Sequence, residues 1–271
     1  MSRQFEDLSI SREGPVAWLQ IERPAVLNTL RIRTLEEIIE AVAELEADTD
    51  VAVVVVTGAG ARAFSAGIHV DEMVDMDAVA CDSFTRLESK AYRSLLLLQK
   101  PSIAAVNGYA LGGGCVLALV CDIRVAAENA VFGLTELKMG APVPIEAALL
   151  PLLIGHGRAR EIVYTARHVT AAEANSIGLC TSVVAPDELR SFSHRLATEI
   201  AGHDSVALRA QKDIVTKWMT SDLLTASDYS IAATSVVFAS GAPHRAIEQF
   251  LATRRARNAA TRRPEEGRSD A

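Results

Sequence analysis

Apolar residues fall into two regimes along this chain. Up to about Gly140, short β-branched runs alternate with longer segments of helical spacing; beyond it, helical spacing dominates. Residues 5–10 and 15–22 predict a hairpin about Glu13-Gly14-Pro15, ended by Arg23-Pro24, with a loop at Ala25-Val26-Leu27-Asn28. Thr34-Leu35-Glu36-Glu37 fits a capping box, and Leu35, Ile38, Ile39, Val42 and Leu45 follow on one helical face until Asp48–Asp50. Val51–Thr57 is almost wholly β-branched, the mark of a strand buried on both faces, and Gly58-Ala59-Gly60 turns it. A small-residue bend, Phe64-Ser65-Ala66-Gly67-Ile68-His69, precedes an acidic stretch at 71–77, read as a loop or short helix. A helix is predicted over 82–99, ending before Lys100-Pro101, and Ser102–Asn107 is a second buried strand running into Gly112-Gly113-Gly114.

Ile123–Ala126 and Ala130–Phe132 predict two more short strands. Helices are then expected at 145–154, 157–166, 170–176 (capped by Thr170), 187–201, 205–219, 222–239 and 243–255, with one late strand at Cys180–Val184. Strands alternating with helices early, and helices alone late, give an α/β core with a helical C-terminal region. The last helices cannot bury both of their faces on one another, which predicts oligomerisation.

Composition narrows the classes. Of 271 residues 49% are hydrophobic and only 5% aromatic, so the core is aliphatic. A net charge of −7 argues against a general nucleic-acid binder, which needs a broad basic face. The tail departs from this: Arg254, Arg255, Arg257, Arg262, Arg263 and Arg268 crowd into the last 21 residues, as a solvated end or as a contact for an anionic ligand or a neighbouring subunit. Four cysteines (Cys81, Cys115, Cys121, Cys180) form no CxxC pair and read as reduced, buried hydrophobes. With no signal core and no apolar run near the ~18 residues of a membrane span, the expectation is a soluble cytoplasmic protein.

The three consecutive glycines are the strongest chemical signal. Glycine in series costs backbone entropy and is kept where backbone must approach something closely. The run precedes Cys115–Val120, which reads as a buried helix, and the first N–H groups of a helix lack internal partners. Such a terminus can hold a developing oxyanion. A close strand–helix crossing with no ligand explains the same glycines.

An ordered set of motifs extends the argument: Arg23-Pro24 with Leu27-Asn28, Val54–Gly58, Phe64–Gly67, Lys100-Pro101 with Ala104–Gly108, Gly112–Cys115 with Cys121-Asp122, Phe132–Glu136, and Thr170–Ala174 with Gly178-Leu179. In this order they resemble the crotonase, or enoyl-CoA hydratase/isomerase, superfamily across nearly the whole chain. The resemblance implies a crotonase (ClpP-like) spiral of ββα units over residues 1–200 and a helical trimerisation region over 201–271, assembled as a homotrimer or homohexamer. It implies an acyl-CoA substrate and no cofactor besides that CoA thioester, while residue spacing, apolar run length and net charge give the expectation of no metal, no membrane and no nucleic-acid partner. By motif position the Ile68 and Gly113 N–H groups would grip the thioester oxygen of an enolate-like intermediate. Coenzyme A would lie against Ala25, Leu27, Ala66, Gly67, Ile68, His69, Val70, Asp71, Gly112 and Gly113, with Arg23, Arg254 or Arg255 near its phosphates.

One departure stands out. Hydratases of this family use two glutamates. The second is kept as Glu136, but the first position, two residues after the last glycine, is Val116. One carboxylate suits a 1,3-proton shift, so the resemblance favours an isomerase over a two-glutamate hydratase. Against that, Gly140–Pro151 is similar to the Pro-rich loop of hydratases acting on cyclic dienoyl-CoA esters. Glu146 and His69 are the candidate substitutes for the missing acid. Ser65, Cys115 and the other histidines join no nucleophilic or metal-binding constellation, and Asp122 reads as a turn anchor. Decarboxylation or hydrolysis of an acyl-CoA, and a catalytically impaired CoA-thioester binder, are the alternatives.

Overall fold

A computed structural model describes residues 4–143 and 145–261; Pro144 and the tail arginines Arg262, Arg263 and Arg268 lie outside the described residues. The chain forms two compact units, Met1–Ser205 and Val206–Ala271. In the first, the elements in order are β1 (Leu8–Glu13), β2 (Val16–Ile21), α1 (Ile32–Ala47), β3 (Val53–Gly58), β4 (Ala63–Ser65), α2 (Ala78–Leu96), β5 (Ser102–Val106), β6 (Tyr109–Leu111), α3 (Gly113–Leu119), β7 (Ile123–Ala127) and β8 (Val131–Gly133). There follow α4 (Leu150–Ile154), α5 (His156–Thr165), β9 (Val169–Thr170), α6 (Ala171–Ser176), β10 (Ser182–Val184) and α7 (Leu189–Ala201).

Two sheets share these strands. One has six in the order β1-β2-β3-β5-β7-β10; the other has four, β4-β6-β8-β9. Three times in succession, at β3–β4, β5–β6 and β7–β8, the chain gives one strand to the larger sheet and the next to the smaller, which is the ββα spiral. The larger sheet is parallel from β2 to β10. Its β-branched strands are buried on both faces, as parallel strands must be: Val16, Trp18, Val53, Val55, Ile103, Ala105, Val125 and Ala127 pack with Leu189 and Ala197 of α7, and Val54, Val56, Ala104 and Val106, which alternate with them and so point to the opposite face, are buried as well. Buried Lys100 fastens the α2–β5 corner by donating from Nζ to the Leu45 and Asp48 carbonyls, both at 2.5 Å.

Several local expectations shift. Helix α1 begins at Ile32, not after Thr34, because Thr34 Oγ1 serves as the N3 acceptor for Arg31 N at 3.2 Å. The Glu37 carboxylate meanwhile turns away to accept from Glu6 N and Asp7 N, both at 2.8 Å. Helix α2 starts earlier than predicted because Asp77 caps it, accepting from Val79 N and Ala80 N. The short strands β6 and β9 escaped the hydrophobic pattern, being only three and two residues long. The 145–154 helix divides into a 3₁₀ turn, Ile145–Leu149, and α4.

The second unit holds most of α8 (Ser205–Thr220), α9 (Leu223–Ala239) and α10 (Ala242–Thr261). Helix α9 is apolar around its circumference, yet only Ala226 is buried, and Leu223, Leu224, Ile231 and Val236 are exposed. Among the described residues no helix is long and apolar enough to cross a membrane.

Candidate active site

The two small-residue bends meet. Gly114 packs so closely on the first bend that a Cβ there would lie 2.2 Å from the Ser65 carbonyl oxygen. Gly67, at φ +98°, passes Gly113 N, and a Cβ on it would lie 2.8 Å from Leu111 O. The start of α3 therefore sits against the bend after β4, and both readings of the glycines hold: a close crossing and a row of N–H groups.

Two of those N–H groups lack partners. Ile68 bridges Leu30 in parallel fashion, with Leu30 N donating to Gly67 O and His69 N to Leu30 O, both at 2.8 Å. That pattern uses the neighbours of Ile68 and turns its own N–H to the opposite side. Gly113 is the first residue of α3, where the N–H has no helical acceptor. Among the described residues neither N–H donates within the chain. The Ile68 side chain also comes to Gly113, with its Cδ1 3.2 Å from a Cβ position there.

The loop at Pro24–Leu30 forms the neighbouring rim. Ala66 N donates to Leu27 O at 3.0 Å, and buried Asn28 donates to Ala59 O and Ala63 O. Exposed Ala25 and half-buried Leu27 thus lie beside Ala66, Gly67 and Ile68. The Arg23 guanidinium bonds the Thr29 carbonyl through Nη1 and lies 3.5 Å from Asp7 through Nε. His69 turns to the same rim, with Nδ1 3.0 Å from Thr29 Oγ1 and Nε2 3.6 Å from Asp71, which anchors the loop into Val70 and Asp71. Arg254 and Arg255 are exposed on α10.

Glu136 opens the 3₁₀ turn Glu136–Met139 after β8, and its Oε1 lies 3.4 Å from a Cβ position on Gly112. The preceding residues hold it there, since Gly112 N donates to Gly133 O at 2.8 Å. Its Oε2 is buried and accepts no hydrogen bond among the described residues. Burial, opposed by its own backbone N–H, raises its pKa above the usual carboxylate range. Val116 is buried one turn into α3 and offers no polar atom. Cys115 is buried too, which pushes its thiol up to about 12 and leaves it inert despite its place at a helix start. Asp122 accepts from Ser102 N and Oγ, the turn-anchoring contact expected of it.

The structure adds a carboxylate that sequence reasoning missed. Glu88, in the middle of α2, is buried, and its Oε1 lies 2.9 Å from a Cβ position on Gly113. Tyr92 Oη is 2.8 Å from both Glu88 Oε1 and Gly113 O. Burial, then the charges of Glu136 and Glu146, raise the Glu88 pKa to about 7 against the opposing Tyr92 hydrogen bond. The signal was present in the sequence: Phe84, Glu88, Ala91, Tyr92 and Leu95 share one helical stripe, and a glutamate on a buried stripe is anomalous. Glu146 sits on the far side of this group, its Oε1 accepting from Ser89 Oγ at 2.9 Å and Arg93 Nε at 2.7 Å. That pairing gives Glu146 Oε1 partners on α2, while its Oε2, like that of Glu136, is buried and accepts no hydrogen bond among the described residues.

A carboxyl whose native pKa lies above its unfolded value binds protons more readily when folded. Stability therefore falls as pH rises from 4.5 toward about 7, and the cost is fully present above that. Glu88→Gln is expected to raise the unfolding free energy by about 1–3 kcal/mol at pH 8, and by little near pH 4.5. Urea titrations at the two pH values measure the difference.

The chain matches the family model for enoyl-CoA hydratase/isomerase over residues 11–258. It is 37% identical over 253 residues to the short-chain-enoyl-CoA hydratase of Clostridium acetobutylicum, covering 93% of this chain and 97% of that protein. It is 36% identical, with the same coverage, to the crotonyl-CoA hydratase of Syntrophomonas wolfei. The solved enoyl-CoA hydratase of Bacillus anthracis superposes with a TM-score of 0.88 at 31% identity, over 92% of this chain and 97% of that one. The spiral and its sheets are those of the crotonase fold, and this chain belongs to the enoyl-CoA hydratase/isomerase family of enzymes.

Proposed function

We propose that this protein adds water to a 2-enoyl-CoA thioester. The observation that carries the reading is the half-buried carboxylate of Glu136 over Gly112, whose Oε2 accepts no hydrogen bond among the described residues, beside the Ile68 and Gly113 N–H groups. In this reading the thioester oxygen accepts from both N–H groups. They stabilise the negative charge that develops there, each donor being worth on the order of 10²–10³ in rate. Coenzyme A lies along Ala25, Leu27 and Ala66–Asp71 and enters as part of the substrate, with no further cofactor. Hydration is preferred to the isomerisation suggested by Val116 because the compared relatives are named hydratases.

The assembly is a homotrimer or homohexamer in this reading, supported by the exposed apolar residues of α9 and by Phe250 of α10, which a lone subunit leaves in water.

Incubation with a panel of 2-enoyl- and 3-enoyl-CoA thioesters tests the activity by mass spectrometry. The expected product from a 2-enoyl-CoA is the 3-hydroxyacyl-CoA, heavier by one water. Double-bond migration at unchanged mass with no hydration would instead support an isomerase, for which Val116 is the specific observation. Release of carbon dioxide or free CoA as the main product would overturn both.

A further inference from the structure

We propose that Glu88 is the second acid–base group of this site, acting from α2 in place of the carboxylate that Val116 removes from α3. The inference rests on the hydratase reading above and adds a residue to it.

Position is the first argument. Val116 and Glu88 belong to different elements, yet both adjoin the start of α3. Val116 lies three residues beyond Gly113 on the same helix, and Glu88 Oε1 reaches within 2.9 Å of a Cβ position on Gly113. Only glycine at 113 leaves room for the carboxyl and for Tyr92 Oη, which would stand 2.5 Å from such a Cβ. The carboxyl is thus brought to the residue whose N–H faces the thioester oxygen, and Glu136 lies over the preceding glycine.

Hydrogen bonding is the second. Tyr92 has one hydroxyl proton and two oxygen neighbours at 2.8 Å, Glu88 Oε1 and Gly113 O. Both contacts are satisfied when Glu88 is the neutral acid, donating to Tyr92 Oη while Tyr92 donates to Gly113 O. Against the hydrogen bond that ionised Glu88 would accept from Tyr92, the two other carboxylates that face it favour that form. Tyr92 is on its own helix; Glu136 comes from the turn after β8 and Glu146 from the turn before α4, and both carboxylates oppose a third negative charge. Arg93, the nearby cation, is engaged with Glu146.

Hydration then balances as follows. The water oxygen bonds to C3 as one of its protons passes to ionised Glu136, and the C2–C3 π pair moves toward C2 and the thioester oxygen held by the two N–H groups. The enolate collapses by taking the carboxyl proton of Glu88 onto C2. One water has been added, and the proton left on Glu136 returns to Glu88 through solvent before the next turnover. Glu88 must be protonated to act, so activity is lost as pH rises through its ionisation near 7.

The experiment is a kcat–pH profile between pH 5 and 9 on a 2-enoyl-CoA, for the unaltered protein, Glu88→Gln and Glu136→Gln, with circular dichroism on each. The unaltered protein is expected to lose kcat above about pH 7. Glu88→Gln, which keeps the shape and the contact with Tyr92, is expected to fall about 10²-fold in kcat with KM within a few-fold, and to lose the alkaline limb. A purely structural role would leave that limb in place. Should Glu88→Gln fail to fold, the unaltered profile still decides, since a kcat that stays flat to pH 9 sinks the proposal. If Glu88→Gln turns over normally while Glu136→Gln is inactive, Glu88 is excluded and the hydratase reading stands. If Glu136→Gln turns over normally, the hydratase reading itself fails.

Discussion

Glu136→Gln is expected to lose about 10²–10⁴-fold in kcat for enoyl-CoA hydration, roughly 3–5 kcal/mol of transition-state stabilisation, with KM within a few-fold. Glutamine has the shape of glutamate and fills the same space over Gly112, so binding of the acyl chain and of CoA is retained. What disappears is proton acceptance. The expectation rests on Glu136 Oε2, which is buried and accepts no hydrogen bond among the described residues, so none must break before a proton is taken, and on burial, which has raised the basicity of the group above that of a solvated carboxylate. The direction of that shift also sets a pH dependence. The group must be ionised to accept a proton, so kcat falls as pH drops through its raised pKa. Steady-state kinetics with whichever 2-enoyl-CoA is turned over measures both effects. Unchanged turnover would remove Glu136 from the chemistry.

Gly114→Ala is expected to cost about 3 kcal/mol or more and to abolish most activity in the protein that still folds. The new Cβ would meet Ser65 O at 2.2 Å, Ser65 C at 2.7 Å and Ser65 Cβ at 2.8 Å. Two of these are backbone atoms and cannot rotate away, so the start of α3 must separate from the bend that follows β4. Overpacking a close-packed interior commonly costs 1–3 kcal/mol when side chains can yield, and here they cannot. The same separation pulls Gly113 from Ile68 and spoils the pair of N–H donors. Gly157→Ala is the control. Nothing lies within 4 Å of a Cβ there, and the residue sits inside α5, so the change is expected to be neutral or slightly stabilising. Thermal melts and urea titrations of the two variants measure the contrast.

Much of the molecule was legible in the chain itself, for local reasons. The buried parallel strands announce themselves as β-branched runs, because a strand covered on both faces has no polar side to show. Thr170 caps α6 as its spacing predicts, accepting from Glu173 N. The Thr34 motif misled because Asp7 competes for it: Thr34 Oγ1 donates to Asp7 Oδ2 at 2.6 Å, across 27 residues of sequence. Arg23 too acquires partners only in the fold, which brings Asp7 and the Thr29 carbonyl against its guanidinium.

The sequence by itself determined the alternation of strands and helices, the two small-residue bends and the place of Glu136 after a strand, while the spiral and the pairing of the bends followed only from the ordered motifs that resemble the crotonase family. The first three depend on short-range chemistry: β-branched burial, backbone that only glycine permits, and a glutamate set directly after a strand. Tertiary structure alone decided which carboxylate of α2 lies against the start of α3. Of the sequence candidates for the carboxylate absent at Val116, Glu146 places Oε1 on Arg93 and keeps Oε2 buried with no hydrogen bond among the described residues, and His69 faces Thr29 and Asp71. It is the packing of α2 that carries Glu88 to Gly113, 25 residues away along the chain. Glycines chosen to let backbone approach backbone also leave space beside them, and which side chain enters that space is settled by the helix packed opposite.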